Sequence, residues 1–164
     1  EIKATGRAMP KLQTVATTAV PSYRDYDQDL VAWALDNAGL LRAGRWSEID
    51  AEHLAEELED LGKSERRALG SYLRNLVTHL LKWQYQPGLR GASWRLTVLN
   101  ARTAIRGILA DSPSLVPEAA RLLTKTYALA RANAIGETGL PDPVFPASCP
   151  FTIDQVLADD YWPE

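Results

Sequence analysis

The chain has little cysteine, histidine and methionine, and two of these shortages exclude classes of function. A single cysteine, Cys149, excludes an internal disulfide and a zinc site built from several cysteines. Only two histidines are present, His53 and His79, and neither belongs to the Glu-x-x-His pair of a di-iron helical bundle. Glycine-rich phosphate loops, dinucleotide fingerprints and Gly-x-Ser-x-Gly elbows are also missing. We therefore expect no metal ion and no cofactor.

Long apolar runs are missing as well. No stretch approaches the ~18 consecutive apolar residues of a membrane-spanning helix. Residues 1–22 contain no secretory apolar core, because charged and polar residues and a proline interrupt it. These absences favour a cytoplasmic protein without a membrane partner. The 164 residues, of which 46% are hydrophobic and 24% charged, are enough for one domain with its own core.

Apolar residues recur at steps of three and four along most of the chain, which is typical of amphipathic helices. Residues 1–22 show no such period and are expected to form a flexible N-terminal arm, and 23–164 a single helical domain. The predicted fold is all-α: an antiparallel helical bundle of four main helices with a proline-rich C-terminal strap and a short last helix. The predicted segments are a helix over 25–43, a helix over 51–86, a helix capped by Ser93 and ended by Pro113, a helix from Pro117 to Gly136, a strap over 140–150, and a last helix from the Thr152 capping box to Ala158.

The helix over 51–86 is predicted to be continuous, because its apolar stripe keeps the same phase on both sides of Gly62. Glu65, Tyr72 and His79 are spaced seven apart, so they nearly superpose on one face of an ideal helix. We predict that they form a buried polar ladder that needs hydrogen-bond partners. Alternatively, the same face lines a cleft in which His79 acts as an acid/base or a ligand.

Acidic and basic residues are segregated along the chain. Residues 48–65 contain eight acidic residues and one basic residue, whereas 66–106 contain eight basic residues and no acidic one. Two interpretations remain open: neighbouring helices offset each other's charge, or the basic segment is a surface for a phosphate backbone.

Cations and aromatic residues concentrate around the predicted junction of the second and third helices. This concentration predicts a surface for an unidentified protein or RNA partner, since arginine beside aromatic rings suits phosphates and unstacked bases. The alternative is that the arginines pair with acidic residues while their stems cover the edge of the core. The predicted partner-binding residues are Lys82, Trp83, Tyr85, Trp94 and Arg95, and the candidate nucleic-acid contacts are Arg102 and Arg106.

The segment Arg74-Asn75-Leu76-Val77-Thr78-His79 resembles the Arg-Asn-x-x-x-His motif of the HEPN family of helical ribonucleases. The resemblance implies metal-independent RNA cleavage by an arginine and a histidine that usually come from two protomers. Arg74 and His79 lie about 140° apart on one ideal helix, so a dimer would be needed to bring them together.

Several further motifs occur in a fixed order, and the chain from 23 to 164 resembles a bacterial family known as domain of unknown function 29. The family implies a compact helical domain, and it supplies no assigned activity. We therefore expect a non-enzymatic helical domain that binds a macromolecular partner, with the RNA-cleaving or RNA-binding dimer as the alternative. The motifs are Tyr26-Asp27-Gln28-Asp29 with Trp33, Arg45-Trp46, the segment 54–62, the segment 79–87, Ser93-Trp94-Arg95, the segment 111–115, Cys149-Pro150-Phe151-Thr152 and Asp160-Tyr161-Trp162-Pro163.

Overall fold

A computed structural model of the chain describes residues 26–164, so the expected arm over 1–22 lies outside the described residues. The described residues contain helices and turns and no strand, which confirms the all-α prediction. Contacts divide the chain after Glu56 into two compact units. The helices are α1 Leu30–Arg42, α2 Ala51–Tyr85, α3 Ala92–Asp111, α4 Val116–Thr138 and α5 Ile153–Leu157, with 3-10 turns at Trp46–Glu48, Pro87–Leu89, Pro113–Leu115 and Asp142–Val144.

The first unit contains α1 and the first turns of α2. The Asp29 carboxylate caps α1 by accepting from the Ala32 amide at 3.0 Å. Trp33, which is 1% exposed, donates its indole N–H to Asp50 at 3.0 Å. The buried amide of Asn37 accepts from the Asp50 backbone at 2.9 Å. These two bonds connect α1 to the start of α2.

Helix α2 is continuous over 35 residues and passes through Gly62, as predicted. Its buried face lies in the second half of the helix, where leucines recur at steps of three and four. In the first half, Leu58 and Leu61 are each 63% exposed, although both belong to the apolar stripe that continues across Gly62. Periodicity shows which residues share a face, but burial also requires a neighbouring element over that length. The buried apolar residues of α2 are Leu69, Leu73, Leu76, Val77, Leu80 and Leu81.

The core of the second unit forms where α3 and α4 pack against this buried face. Thr78 donates to the Ala130 carbonyl at 3.2 Å, and Gln86 donates to the Thr138 carbonyl at 3.1 Å. The partners follow the same order along both helices, so α2 and α4 run parallel and leave a groove between them. The core residues of α3 and α4 are Val98, Ala101, Ile105, Leu122, Leu123, Tyr127, Ala130 and Ala134.

Three helix ends differ from prediction, and the largest difference is at α1, which begins at Leu30 and not at residue 25. Helix α3 begins at Ala92 with Gly91 at the N-cap position, so Ser93 is not its cap. Helix α4 continues past Gly136 to Thr138 and ends at Gly139, whose φ of +68° is the left-handed conformation that glycine adopts readily. The predicted capping box of α5 is confirmed: Thr152 and Gln155 each accept from the other's backbone amide.

The proline-rich segment 140–150 is held against α4 by polar contacts. The Tyr127 hydroxyl donates to the Pro146 carbonyl at 2.6 Å, and burial raises the pKa of Tyr127 to about 12. Arg131 donates to the carbonyls of Phe145 and Pro146 and pairs with Asp142. Phe145, which is 2% exposed, inserts into the core and anchors the segment.

Candidate functional site

The centre of the predicted partner surface is internal rather than accessible. Lys82 is 7% exposed, and its ammonium lies 2.6 Å from a carboxylate oxygen of Glu137. The same ammonium sits 4.6 Å from the centroid of the Trp94 ring. Because α4 supplies the carboxylate and α3 supplies the ring, Lys82 connects three helices. The prediction that Lys82 is a contact for a partner is wrong.

The neighbouring aromatic rings hold the C-terminal segment. Trp83 packs on Trp162 with ring centroids 4.5 Å apart, and Tyr85 meets Phe145 edge to face at 5.1 Å. Only Arg95 among the five predicted contacts is exposed, and its guanidinium lies 5.7 Å from the Trp162 ring. Trp162 therefore occupies the position against these side chains that a stacked base or a partner side chain would need.

Arg102 was expected to contact nucleic acid, and the structure contradicts this. Its side chain is fully buried and donates to the carbonyls of Val156 at 2.8 Å, Asp159 at 3.2 Å and Tyr161 at 2.6 Å. Burial lowers the pKa of the guanidinium. Arg106, one turn further on, is exposed and pairs with the Asp159 carboxylate. Both arginines therefore hold the residues that follow α5.

The predicted buried ladder is not found. Tyr72 is 41% exposed, and Glu65 and His79 are only half-buried, because the buried stripe of α2 is centred on Leu69, Leu73 and Leu76 instead. The Nδ1 atom of His79 donates to the Asn75 carbonyl at 3.0 Å, and burial lowers the pKa of His79. The predicted face of α2 is therefore about one residue out of phase with the face that the structure buries.

A different site emerges in the groove between the parallel helices α2 and α4, and we refer to it as the α2–α4 groove. Its volume is about 480 Å³. No carboxylate lines it, and its floor is largely apolar. An added Cβ at Gly70 would lie 3.5 Å from Thr126 Cγ2, so the two helices approach closely below the groove. The cationic lining is Lys63, Arg66, Arg67, Arg74 and Lys125, and the remaining lining is Gly70, Ser71, Leu122, Thr126 and Leu129.

Two of the five cations are already engaged. Arg66 binds Glu118 through two hydrogen bonds of 2.9 and 2.8 Å, which raise the pKa of Arg66 and lower the pKa of Glu118. Lys63 pairs with Asp60 at 2.9 Å and with Glu59 at 3.3 Å.

The other three cations, Arg67, Arg74 and Lys125, form no ion pair within residues 26–164. Arg74 donates only to the Ser71 hydroxyl, at 3.3 Å. The groove therefore presents three cations without an ion-pair partner beside exposed apolar surface, since Leu129 is 57% exposed.

Part of this groove can be predicted from the sequence. Positions 63, 66, 67, 70, 71 and 74 follow the spacing of one helix face, and the basic character of 66–106 points to the same region. Lys125 and the leucine floor come from a helix about fifty residues away, so only tertiary packing brings them to the site. Arg74 lines the groove and His79 does not.

These features define the chain as an all-α domain with a cationic, leucine-floored groove. Within residues 26–164 no group of three or more histidine, cysteine or acidic side chains is placed to hold a metal ion, and no helix there is long and apolar enough to cross a membrane. The chain belongs to the family described as domain of unknown function DUF29, whose model matches residues 26–162. No curated protein and no solved structure matches the chain.

Proposed function

We propose that this chain is a non-enzymatic domain that binds an acidic segment of a protein partner in the α2–α4 groove. The observation that carries the proposal is the presence of three unpaired cations, Arg67, Arg74 and Lys125, around a floor that includes Leu122 and Leu129. A segment with carboxylates beside apolar side chains would satisfy both features at once. We further propose a cytoplasmic location, since a single unpaired cysteine suits a reducing compartment.

The lining of the groove favours a peptide over single-stranded RNA. Proteins that bind single-stranded nucleic acid stack successive bases on aromatic side chains. No aromatic residue lines the α2–α4 groove, and the tryptophans expected to stack on bases, Trp83 and Trp94, contact Trp162 and Lys82 instead. The RNA-cleaving alternative also lacks support within one chain, because Arg74 and His79 lie on different sides of α2.

The test uses a labelled helical peptide of glutamate and leucine, with leucines three and four residues apart, and fluorescence anisotropy as the readout. A peptide of the same composition in scrambled order and a single-stranded oligouridine serve as probe controls. We expect the patterned peptide to bind most tightly, and binding to weaken at about 0.5 M salt, where exposed charges are screened.

The two matched variants each replace one arginine by glutamate, one inside the groove and one outside it. Arg67→Glu is expected to weaken binding of the patterned peptide roughly tenfold, since like charges then face each other. Arg42→Glu, at the exposed end of α1, makes an equal charge change and should leave the affinity unchanged. Equal effects of both variants, or preferential binding of oligouridine, would refute the proposal.

A further inference from the structure

The cations and leucines of the α2–α4 groove are ordered along its length. On α2, the unpaired cations Arg67 and Arg74 are seven residues apart, which is about 10.5 Å along a helix. On α4, Leu122 and Leu129 are also seven residues apart. Seven residues turn an ideal helix through about 700°, so each pair shares one face of its helix and lines the groove at two levels.

Contacts between the two helices fix these levels relative to each other. Residues of α2 lie against residues of α4 that follow them by 52 to 56 positions, and this offset is kept from residue 66 to residue 86. By this offset, Leu122 lies level with Arg67. Leu129 lies level with Arg74, and Lys125 lies between the two levels. The pairs in contact or close approach are Arg66–Glu118, Gly70–Thr126, Thr78–Ala130, Lys82–Glu137 and Gln86–Thr138.

The lining of the groove therefore changes sides along its length. At two levels, Arg67 and then Arg74 stand on the α2 side across from a leucine of α4. Between these levels, the cation is Lys125 on the α4 side, and the hydroxyl of Ser71 stands on the α2 side. A complementary ligand needs acidic groups toward α2 at the two outer levels and an acidic group toward α4 at the middle level. It also needs apolar groups over Leu129, which is 57% exposed, and the matching leucine at the other level.

This spacing matches the repeat of a helix better than that of an extended chain. An α-helix returns to the same face after seven residues, which advance it by about 10.5 Å. A β-strand covers the same length in about three residues, and residues three apart point to opposite faces of a strand. A polyproline helix is recognised in grooves lined with aromatic rings, and among the described residues no aromatic side chain lines this groove.

We propose that the segment bound in the α2–α4 groove is an amphipathic α-helix with a seven-residue repeat, an inference that rests on the proposed function. Two acidic residues seven apart in this helix face Arg67 and Arg74. Two leucines seven apart cover Leu122 and Leu129. A third acidic residue, midway along the opposite flank, faces Lys125. The ligand then packs along two parallel helices as the third helix of a short coiled coil.

The length of the groove limits the length of the bound helix. Its lining on α2 runs from Lys63 to Arg74, which is about 16 Å or three helical turns. A free helix of about 12 residues is marginally stable in water. Fixing the peptide as a helix before it binds should therefore raise the affinity, because less conformational entropy is lost on binding.

The first test compares peptides of about 14 residues by fluorescence anisotropy, since this length covers the groove. The reference peptide has glutamates and leucines seven residues apart on an alanine background. A second peptide has the same composition with a spacing of five, which turns the second glutamate about 140° away from the first. A third carries a central proline on its outer face, and a fourth carries a lactam bridge there. We expect the second and third to bind roughly tenfold more weakly than the reference, and the fourth more tightly.

Double-mutant cycles test the register of the helix in the groove. Arg67→Gln and Arg74→Gln are each combined with peptides in which one of the two glutamates is replaced by glutamine. Each arginine should couple roughly threefold in affinity to one glutamate and not to the other, and the two arginines should choose different glutamates. Arg42→Gln, on the exposed end of α1, should couple to neither. Equal coupling of both arginines to both glutamates would overturn the inference, because it indicates attraction without a fixed register.

The same peptides separate this inference from the proposed function. If the peptides with spacings of seven and five bind equally, or if the proline peptide binds as tightly as the reference, the ligand is an acidic segment but not a helix with this repeat. If no acidic peptide binds, the proposed function is refuted and this inference with it. Far-UV circular dichroism of each protein variant and each peptide checks that it has the expected helical content.

Discussion

Arg102→Met should destabilise the protein far more than the same change at Arg106. The guanidinium of Arg102 donates to three main-chain carbonyls, those of Val156, Asp159 and Tyr161. Methionine keeps the apolar stem of the side chain but donates no hydrogen bond. Each hydrogen bond from a charged donor contributes about 1.5–3 kcal/mol, and a released C-terminal segment can rehydrate its carbonyls, so we expect a net loss of about 3–5 kcal/mol.

The control is Arg106→Met on the same helix. Arg106 pairs with the Asp159 carboxylate at the surface, and both side chains are roughly half exposed or more. Such exposed pairs contribute about 1 kcal/mol or less. The two variants therefore remove the same charge and differ chiefly in the burial of the hydrogen bonds that are lost.

The assay is equilibrium unfolding in urea, followed by circular dichroism and by tryptophan fluorescence. Trp162 lies 5.2 Å from the Arg102 guanidinium, so its fluorescence should report release of the C-terminal segment. For a chain of this size, the expected loss corresponds to a fall in Tm of roughly 6–20 °C. An Arg102→Met variant within about 1 kcal/mol of the Arg106→Met variant would refute the reasoning.

Two further predictions concern matched pairs of residues. In an NMR titration His53 should titrate above about 6.5 and His79 below it, because the bond to Asp50 raises the pKa of His53 and burial lowers the pKa of His79. Titration of the two histidines in the reverse order would contradict these pKa shifts. Because the unfolded chain binds a proton at position 79 more readily than the folded one, His79→Gln should reduce the loss of stability as the pH falls through 6.5. Gly136→Ala should raise the free energy of unfolding by about 0.5–1 kcal/mol, because this helical position has open space, whereas Gly139→Ala should lower it by about 1 kcal/mol, because its φ is +68°. Thermal unfolding that shifts in the same direction for both glycine variants would show that backbone conformation does not separate them.

The errors in the sequence-based site share one cause. Lys82 and Arg102 are cations that follow apolar residues on their helices, and the sequence alone suggests that their side chains are accessible to solvent. Lys82 pairs with Glu137, and Arg102 donates to carbonyls beyond residue 155. Each partner lies more than fifty residues away along the chain. Helical spacing gives no information about which distant segment will cover a given face, so the burial of these cations could not be predicted.

The sequence alone determined the local structure of this protein. The continuity of α2 across Gly62, the stop at Pro87 and the capping box at Thr152 depend on periodicity, prolines and hydrogen bonds between residues three or four apart, all of which are local. Which charges are accessible depends instead on how the helices pack. Packing of α4 beside α2 buries Lys82 and leaves Arg67 and Arg74 lining an open groove, because accessibility depends on contacts between segments far apart in the chain.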